Sequence, residues 1–230
     1  MSTHVGTANI FKGMSLVDAA HGLGVVLAER PDLLALQEWG PNRNTLLNGL
    51  KTYRWARSPK GGGPVLYSDR YGLLRTNSRV LSRRSFVGRL PGRKSTLPDN
   101  VAGEFVFSDD RDGGEDVVLN FHLDAEVQSG GKYRTDKAHR PRVRRHKRQV
   151  RRLERIIARH QGKGRRVWLC GDTNYDGLRI TGLVSCWSGQ RSQGTLGRRT
   201  VDVVFAGVPS FHVKTLVTGS DHRAVVATYK

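Results

Sequence analysis

A chain of 230 residues is long enough for one sizeable core, and 37% hydrophobic with 26% charged residues excludes a disordered or fibrous protein. Its 39 Lys plus Arg against 20 Asp plus Glu leave a formal net charge of +19, a field that attracts polyanions but says nothing about fold. Two cysteines, Cys170 and Cys186, with no CxxC or Cys/His spacing exclude a disulfide framework and a structural zinc site; no stretch reaches the length of a membrane span. The expectation is one domain over residues 1–230, intracellular and monomeric.

In chain order, Val5 to Ile10 reads as a first strand. Ser15 stands as a helix N-cap with Asp18 three residues on, and Leu16, Ala20, Leu23 and Leu27 follow one helical face until Pro31 ends it. Leu33 to Leu36 is a continuous apolar run, fitting a strand covered on both faces, with Gln37 and Glu38 at its end. A short helix around Asn42 to Leu50 precedes strands at Tyr53 to Ala56 and Val65 to Tyr67. The glycines between Lys60 and Pro64 make a turn and not a phosphate-binding P-loop, since neither Gly-Lys-Ser/Thr nor a helix start follows. Val101 to Phe107 and Val117 to Phe121 read as a hairpin across Ser108 to Glu115, and its second strand delivers His122. A basic loop and helix occupy about 124–160: residues 124–139 are polar, and Arg142 to Arg159 carry Val143, Val150, Leu153 and Ile157 near helical spacing. Strands at Val167 to Cys170, Val201 to Phe205 and Ala224 to Tyr229 complete the set.

Several of these strands hand over at their ends to acidic, amide or imidazole side chains: Asn9, Glu38, His122, Asp172 with Asn174, Asp202, and Asp221 with His222. Such groups can stay solvated while rigidly held, as an active site requires. Carboxylate and amide oxygens such as those of Glu38, Asn9 and Asp221 suit a hard cation, magnesium or manganese. Asp172 offers a carboxylate to orient water beside the Asn174 amide, and an imidazole paired with a carboxylate favours its charged form. Taken singly, Asn9 reads as a turn residue, Asp172 to Asn174 as an Asx turn, and Asp221 with His222 as a polar corner.

Taken in order, Gln37-Glu38, Gly171-Asp172-Thr173-Asn174 and Ser220-Asp221-His222 make the chain resemble the endonuclease/exonuclease/phosphatase superfamily, over Asn9 to His222. The resemblance implies an α/β fold of two packed mixed sheets flanked by helices, a four-layer β-sandwich with the site at one edge. It implies Glu38 as principal metal ligand with Asn9 and Asp221 near the metal. It makes Asp172 the residue that positions or deprotonates water, and Asn174 the holder of the phosphate. Asp202 would orient His222, whose imidazolium stabilises the transition state, and His122 would bond a phosphate oxygen or assist the leaving group. Phe11 stands where repair members carry an acidic residue, which takes away a second metal site, and Ala8 replaces the Trp of abasic-site endonucleases.

The reading is a metal-dependent phosphodiester hydrolase, foremost a nuclease on DNA or RNA using in-line water attack. The alternatives are a hydrolase of phosphoinositides or other small phosphate esters, and a non-catalytic nucleic-acid-binding module. Arg144, Arg145, Arg148 and Arg152 are the expected nucleic-acid contacts. The histidines at 4, 21, 139, 146, 160 and 212 read as structural; Tyr53 and Trp55 could line a substrate groove.

Overall fold

Strands that are apolar on both faces need cover on both. The computed structural model, which describes residues 2–87 and 95–230, provides it with two six-stranded sheets packed face to face and a helix outside each. The elements in chain order begin with β1 (Thr3–Asn9), α1 (Leu16–Leu27), β2 (Leu33–Gln37), a 3-10 turn (Pro41–Arg43), α2 (Asn44–Asn48), β3 (Arg54–Ala56), β4 (Val65–Tyr67) and β5 (Tyr71–Ser82). They continue with β6 (Ser85–Phe86), β7 (Thr96–Leu97), β8 (Asn100–Asp109), β9 (Glu115–His122), β10 (Gln128–Ser129), β11 (Lys132–Tyr133) and α3 (Arg140–Gln161). The last are β12 (Arg166–Asp172), β13 (Val184–Ser185), β14 (Asp202–Ala206), β15 (His212–Val217) and β16 (Arg223–Tyr229).

The first sheet runs β15-β16-β1-β2-β4-β3 and the second β13-β14-β12-β9-β8-β5. Among the described residues each has one parallel pair at its centre, β1 with β2 and β9 with β12; the other pairings are antiparallel. Alternation sorts the side chains of the first sheet. Val5, Leu33, Ala35, Val225 and Ala227 face the second sheet, while Ala8, Leu34, Leu36, Ala224 and Val226 pack beneath α1 and α2. On the other side α3 lays Leu153, Ile156 and Ile157 against the second sheet.

Ser15 caps α1 as expected, its Oγ accepting from the Asp18 N–H at 3.1 Å. The buried face of α1 is Ala19, Gly22, Leu23 and Val26, with Leu27 partly buried against the same cluster; of the four expected residues Leu16 and Ala20 lie outside it, because the helix docks through its small residues. β5 and β15 were not legible. Both are edge strands without clean alternation, and β5 carries register shifts at Leu73/Arg75 and Val80/Ser82. Tyr53 and Trp55 pack on the cluster beneath α1, where Trp55 Nε1 donates to Asn48 Oδ1 at 3.1 Å, so they line no groove at the site.

Glu104 on β8 is fully buried beneath α3, bonded by Arg79 at 2.6 and 2.7 Å and by His160 at 3.1 Å. Burial alone would raise its pKa, but the bonds from His160, Arg79 and Asn77 outweigh this and hold it well below the usual carboxylate range. Its stabilising contribution is therefore present above the unfolded-state carboxylate pKa and fades as pH falls below it. Removing one member of such a buried set leaves the others unpaired, so Glu104→Ala should lower unfolding free energy by about 3 kcal/mol in urea titration at neutral pH.

Candidate active site

The central parallel pairs place their carboxyl ends at one edge of the sandwich. In the first sheet Asn9 ends β1 opposite Gln37 of β2, and Glu38 follows directly. In the second, His122 ends β9 in register with Asp172, the last residue of β12. The antiparallel neighbours begin where these end: Asp202 opens β14 opposite Asp172, and Asp221 and His222 immediately precede β16. All six expected catalytic residues and the metal-ligand candidates Asn9 and Asp221 thus come from strand ends or adjoining turns at this edge.

Their contacts are direct. Asp202 Oδ2 and His222 Nδ1 are 2.8 Å apart, and the Asn9 amide donates to Asp172 Oδ2 at 3.4 Å across the two sheets. His122 Nε2 lies 3.5 Å from Asp172 Oδ2, and His222 Nδ1 3.9 Å. Asp172 Oδ1 accepts the Asn174 N–H at 2.6 Å, so the Asx turn and the site are one structure. Asn174 spends one amide N–H on Leu123 O at 2.9 Å, leaving the second for a substrate oxygen. Glu38 and Asn174 are both non-glycine residues in the left-handed region, φ +54° and +50°, the strain typical of functional turns. At Gly171 an added Cβ would sit 1.9 Å from Phe121 O, so only glycine lets β12 close on β9 just before Asp172.

Burial and the neighbouring Asp202 push the Asp172 pKa upward against the pull of His122, His222 and the Asn174 N–H. For His222, burial pulls downward, but the Asp202 hydrogen bond and the charges of Asp202, Asp172 and Asp221 prevail and push it up to about 9. The imidazolium therefore persists through neutral pH.

A cleft of about 540 Å³ opens beside these groups, lined by Lys12, Gln37, Glu38, Lys60, Asn100 and His122 among others. A larger cavity of about 710 Å³ lies behind the 173–176 turn among Leu178, Ile180, Trp187 and Phe205 and holds none of the six catalytic candidates. The buried Asn9 Oδ1 has no hydrogen-bond partner among the described residues. An orphaned buried oxygen opposite Gln37, the residue before Glu38, suits a hard cation. Asp221 is tied in by Ser220, whose Oγ donates to Asn9 O at 2.9 Å. Among the described residues Asp172, Asp202 and His222 also bring ligand atoms within 4.8 Å of one another and could hold a metal. Because His222 Nδ1 is already committed to Asp202, Glu38 with Asn9 is the better-fitting set.

Sequence reasoning missed the support beneath the site. Thr7, Gln37 and Asn120 form a buried chain: Thr7 Oγ1 donates to Gln37 Oε1 at 3.0 Å and Gln37 Nε2 to Asn120 Oδ1 at 2.8 Å. Asn120 in turn donates to Leu36 O and Pro64 O, fixing the glycine turn. Arg43, 2% exposed, donates to the carbonyls of Ile10, Phe11 and Met14 and fastens the loop after Asn9. The one available signal was polar residues one or two positions before a strand-end candidate. On α3, Arg144, Arg148 and Arg152 are exposed, but Arg145 is 1% exposed, paired with Asp124 at 3.2 Å and bonded to Pro98 O. Arg145 is therefore a structural residue and not a nucleic-acid contact, a correction forced by its inward position on the helix.

No family model and no curated protein matches this chain. Solved structures do. D. rerio TDP2 complexed with single strand DNA product superposes with a TM-score of 0.74 at 16% identity, covering 100% of this chain and 99% of that one. An endonuclease/exonuclease/phosphatase from Bacteroides vulgatus gives 0.72 at 16% identity, covering 100% and 99%. The human Nocturnin catalytic domain with bound sulfate anion gives 0.68 at 18%, covering 100% and 94%. The chain has the endonuclease/exonuclease/phosphatase fold.

An Asp202 that works by orienting His222, its partner at 2.8 Å, predicts that alanine at either position costs about the same turnover and the double variant little more. In wild type, activity that needs the imidazolium should decline as pH rises through about 9, and Asp202→Asn should move that limb to lower pH. Both are read from kcat against pH.

Proposed function

We propose that this chain is a divalent-metal-dependent phosphodiester hydrolase whose substrate is nucleic acid. The observation that carries the reading is the convergence of Asp172, the Asp202–His222 pair, the unpartnered Asn9 oxygen and the Glu38 carboxylate from both sheets at one edge. A cation held by Glu38 and Asn9, with Asp221 adjacent, would neutralise charge on a phosphate oxygen. The residues account for the rest. Asp172, held by the Asn174 N–H and raised toward neutrality by burial, accepts the proton of the attacking water. With Nδ1 committed to Asp202, His222 offers its other nitrogen, charged, to the phosphorus-bound oxygens as negative charge grows there. The second amide N–H of Asn174 and the half-buried His122 at the cleft wall supply further donors to the phosphate and the leaving oxygen.

Nucleic acid is favoured over small esters by how charge is distributed. Asp109, Asp116, Glu104, Asp172 and Asp202 are buried with partners, whereas Arg144, Arg148, Arg151, Arg152 and Arg155 project from α3. The outer surface is thus more basic than the composition alone indicates. One structural neighbour was solved with a single strand DNA product, which supports the same substrate class.

Incubation with plasmid, single-stranded DNA and RNA plus magnesium should give products with 5′-phosphate and 3′-hydroxyl ends, abolished by EDTA; no cleavage of any of the three would sink the reading. Asp172→Asn should lower kcat by about 10² to 10⁴ while binding persists. A variant with Arg144, Arg148, Arg151 and Arg155 changed to Gln should raise KM for long nucleic acid with little effect on kcat. Its slope of log binding constant against log salt for duplex DNA should flatten by about 0.9 for each phosphate that is no longer neutralised.

A further inference from the structure

Phe11 follows Asn9 by two residues and keeps 42% of its surface exposed, although it sits in a loop fixed from both sides. Its N–H donates to Ser220 Oγ at 3.2 Å, and its carbonyl accepts from Arg43 at 2.9 Å. The ring itself is seated: an added Cβ on Gly13 would lie 2.5 and 2.8 Å from its Cε1 and Cζ, so the ring edge rests on backbone that only glycine leaves bare. Next in sequence, Lys12 lines the cleft and its N–H reaches Glu38 Oε2 at 3.5 Å. Ser220, which holds Phe11, also donates to Asn9 O and precedes Asp221. Phe11 therefore lies in the loop between the strand end Asn9 and the cleft-lining Lys12, tied through Ser220 to the Asp221 turn.

A rigid, exposed aromatic ring beside a phosphate site and a lysine has the makings of a stacking surface. An ordinary surface phenylalanine would be free to move, but this one is fixed by its backbone bonds and by its seat on Gly13. We propose that Phe11 is the stacking platform for one unpaired base next to the scissile phosphate, which makes single strands or frayed ends the preferred substrate. This rests on the nuclease reading given above and narrows it. Bases within a duplex are already stacked and paired, so they gain nothing from the ring, whereas every base presents a face to it; the preference is for strandedness and not for sequence.

The test is an abasic scan. A short end-labelled single strand, intact or with one abasic residue at successive positions, is cleaved by wild type, Phe11→Ala, Phe11→Trp and Gly13→Ala with magnesium. In wild type, base removal at one position beside the cut should raise KM on the order of tenfold. In Phe11→Ala that penalty should shrink to about twofold or less, in Phe11→Trp it should persist, and in Gly13→Ala, which pushes the ring from its seat, it should fall between. A flat scan in wild type, or an undiminished penalty in Phe11→Ala, overturns the platform while cleavage itself upholds the nuclease reading. Absence of any cleavage by wild type overturns both.

Discussion

Everything at the candidate site depends on one geometrical constraint: among the described residues each sheet has a single parallel pair at its centre, and the two pairs end at the same edge. Parallel strands deliver their carboxyl ends side by side, so Asn9 comes beside Gln37 and Glu38, and His122 beside Asp172. Packing the sheets face to face then brings Asn9 within 3.4 Å of Asp172. The antiparallel strands flanking each pair start at that edge, which is why Asp202 and His222 meet although β14 and β16 belong to different sheets. The candidate set is assembled by main-chain topology, and side-chain packing only refines it.

That placement carries a cost in burial. Asp172 and Asp202 are at 1% and 0% exposure, and two carboxylates so close would repel in a low dielectric. His222 answers this by holding its proton up to about pH 9, so the cluster keeps a positive member between the two acids. The chain Thr7, Gln37 and Asn120 extends the logic downward: the interior below the site is polar but hydrogen-bonded, so the edge of the sandwich is held without an apolar plug.

How much of this was legible depended on whether a residue's role was local or long-range. Strands β2, β4, β9, β12 and β16 could be read because each contains a continuous apolar run, and the Ser15 cap because its partner is three residues away. Strand-end candidates were legible because a polar residue after an apolar run is conspicuous. By contrast β5 and β15 lie at sheet edges, where solvent relieves the demand for alternation, and nothing in TYRWAR says that Trp55 turns toward Asn48 and away from the cleft. Arg43 was invisible for the same reason: its three carbonyl partners lie about thirty residues away in sequence.

The basic helix shows where counting charge misleads. Its inward face carries Arg142, Arg145, His146 and Gln149, and each of these reaches a loop or strand that shapes the site. Arg142 and Arg145 pair with Glu126 and Asp124, Gln149 accepts the Asp124 N–H, and His146 lies 2.8 Å from Thr173 O while its other ring nitrogen meets Tyr133 Oη at 3.2 Å. Burial lowers the His146 pKa, which suits a neutral ring donating one N–H to Thr173 and accepting from tyrosine. Tyr133 also stacks on Tyr175, so the 172–175 turn is held between the helix and the β10–β11 hairpin. One helix therefore has two separate uses for cationic and polar residues. The inner row replaces an apolar contact with bonds to Thr173 O and to the 124–126 loop, and the outer row faces solvent, where basic groups can neutralise phosphates and release the counterions condensed on a polyanion. The Arg142 and Arg145 charges of the inner row are neutralised by partners within the fold, so among this helix's cations the exposed outer arginines are the ones left facing solvent.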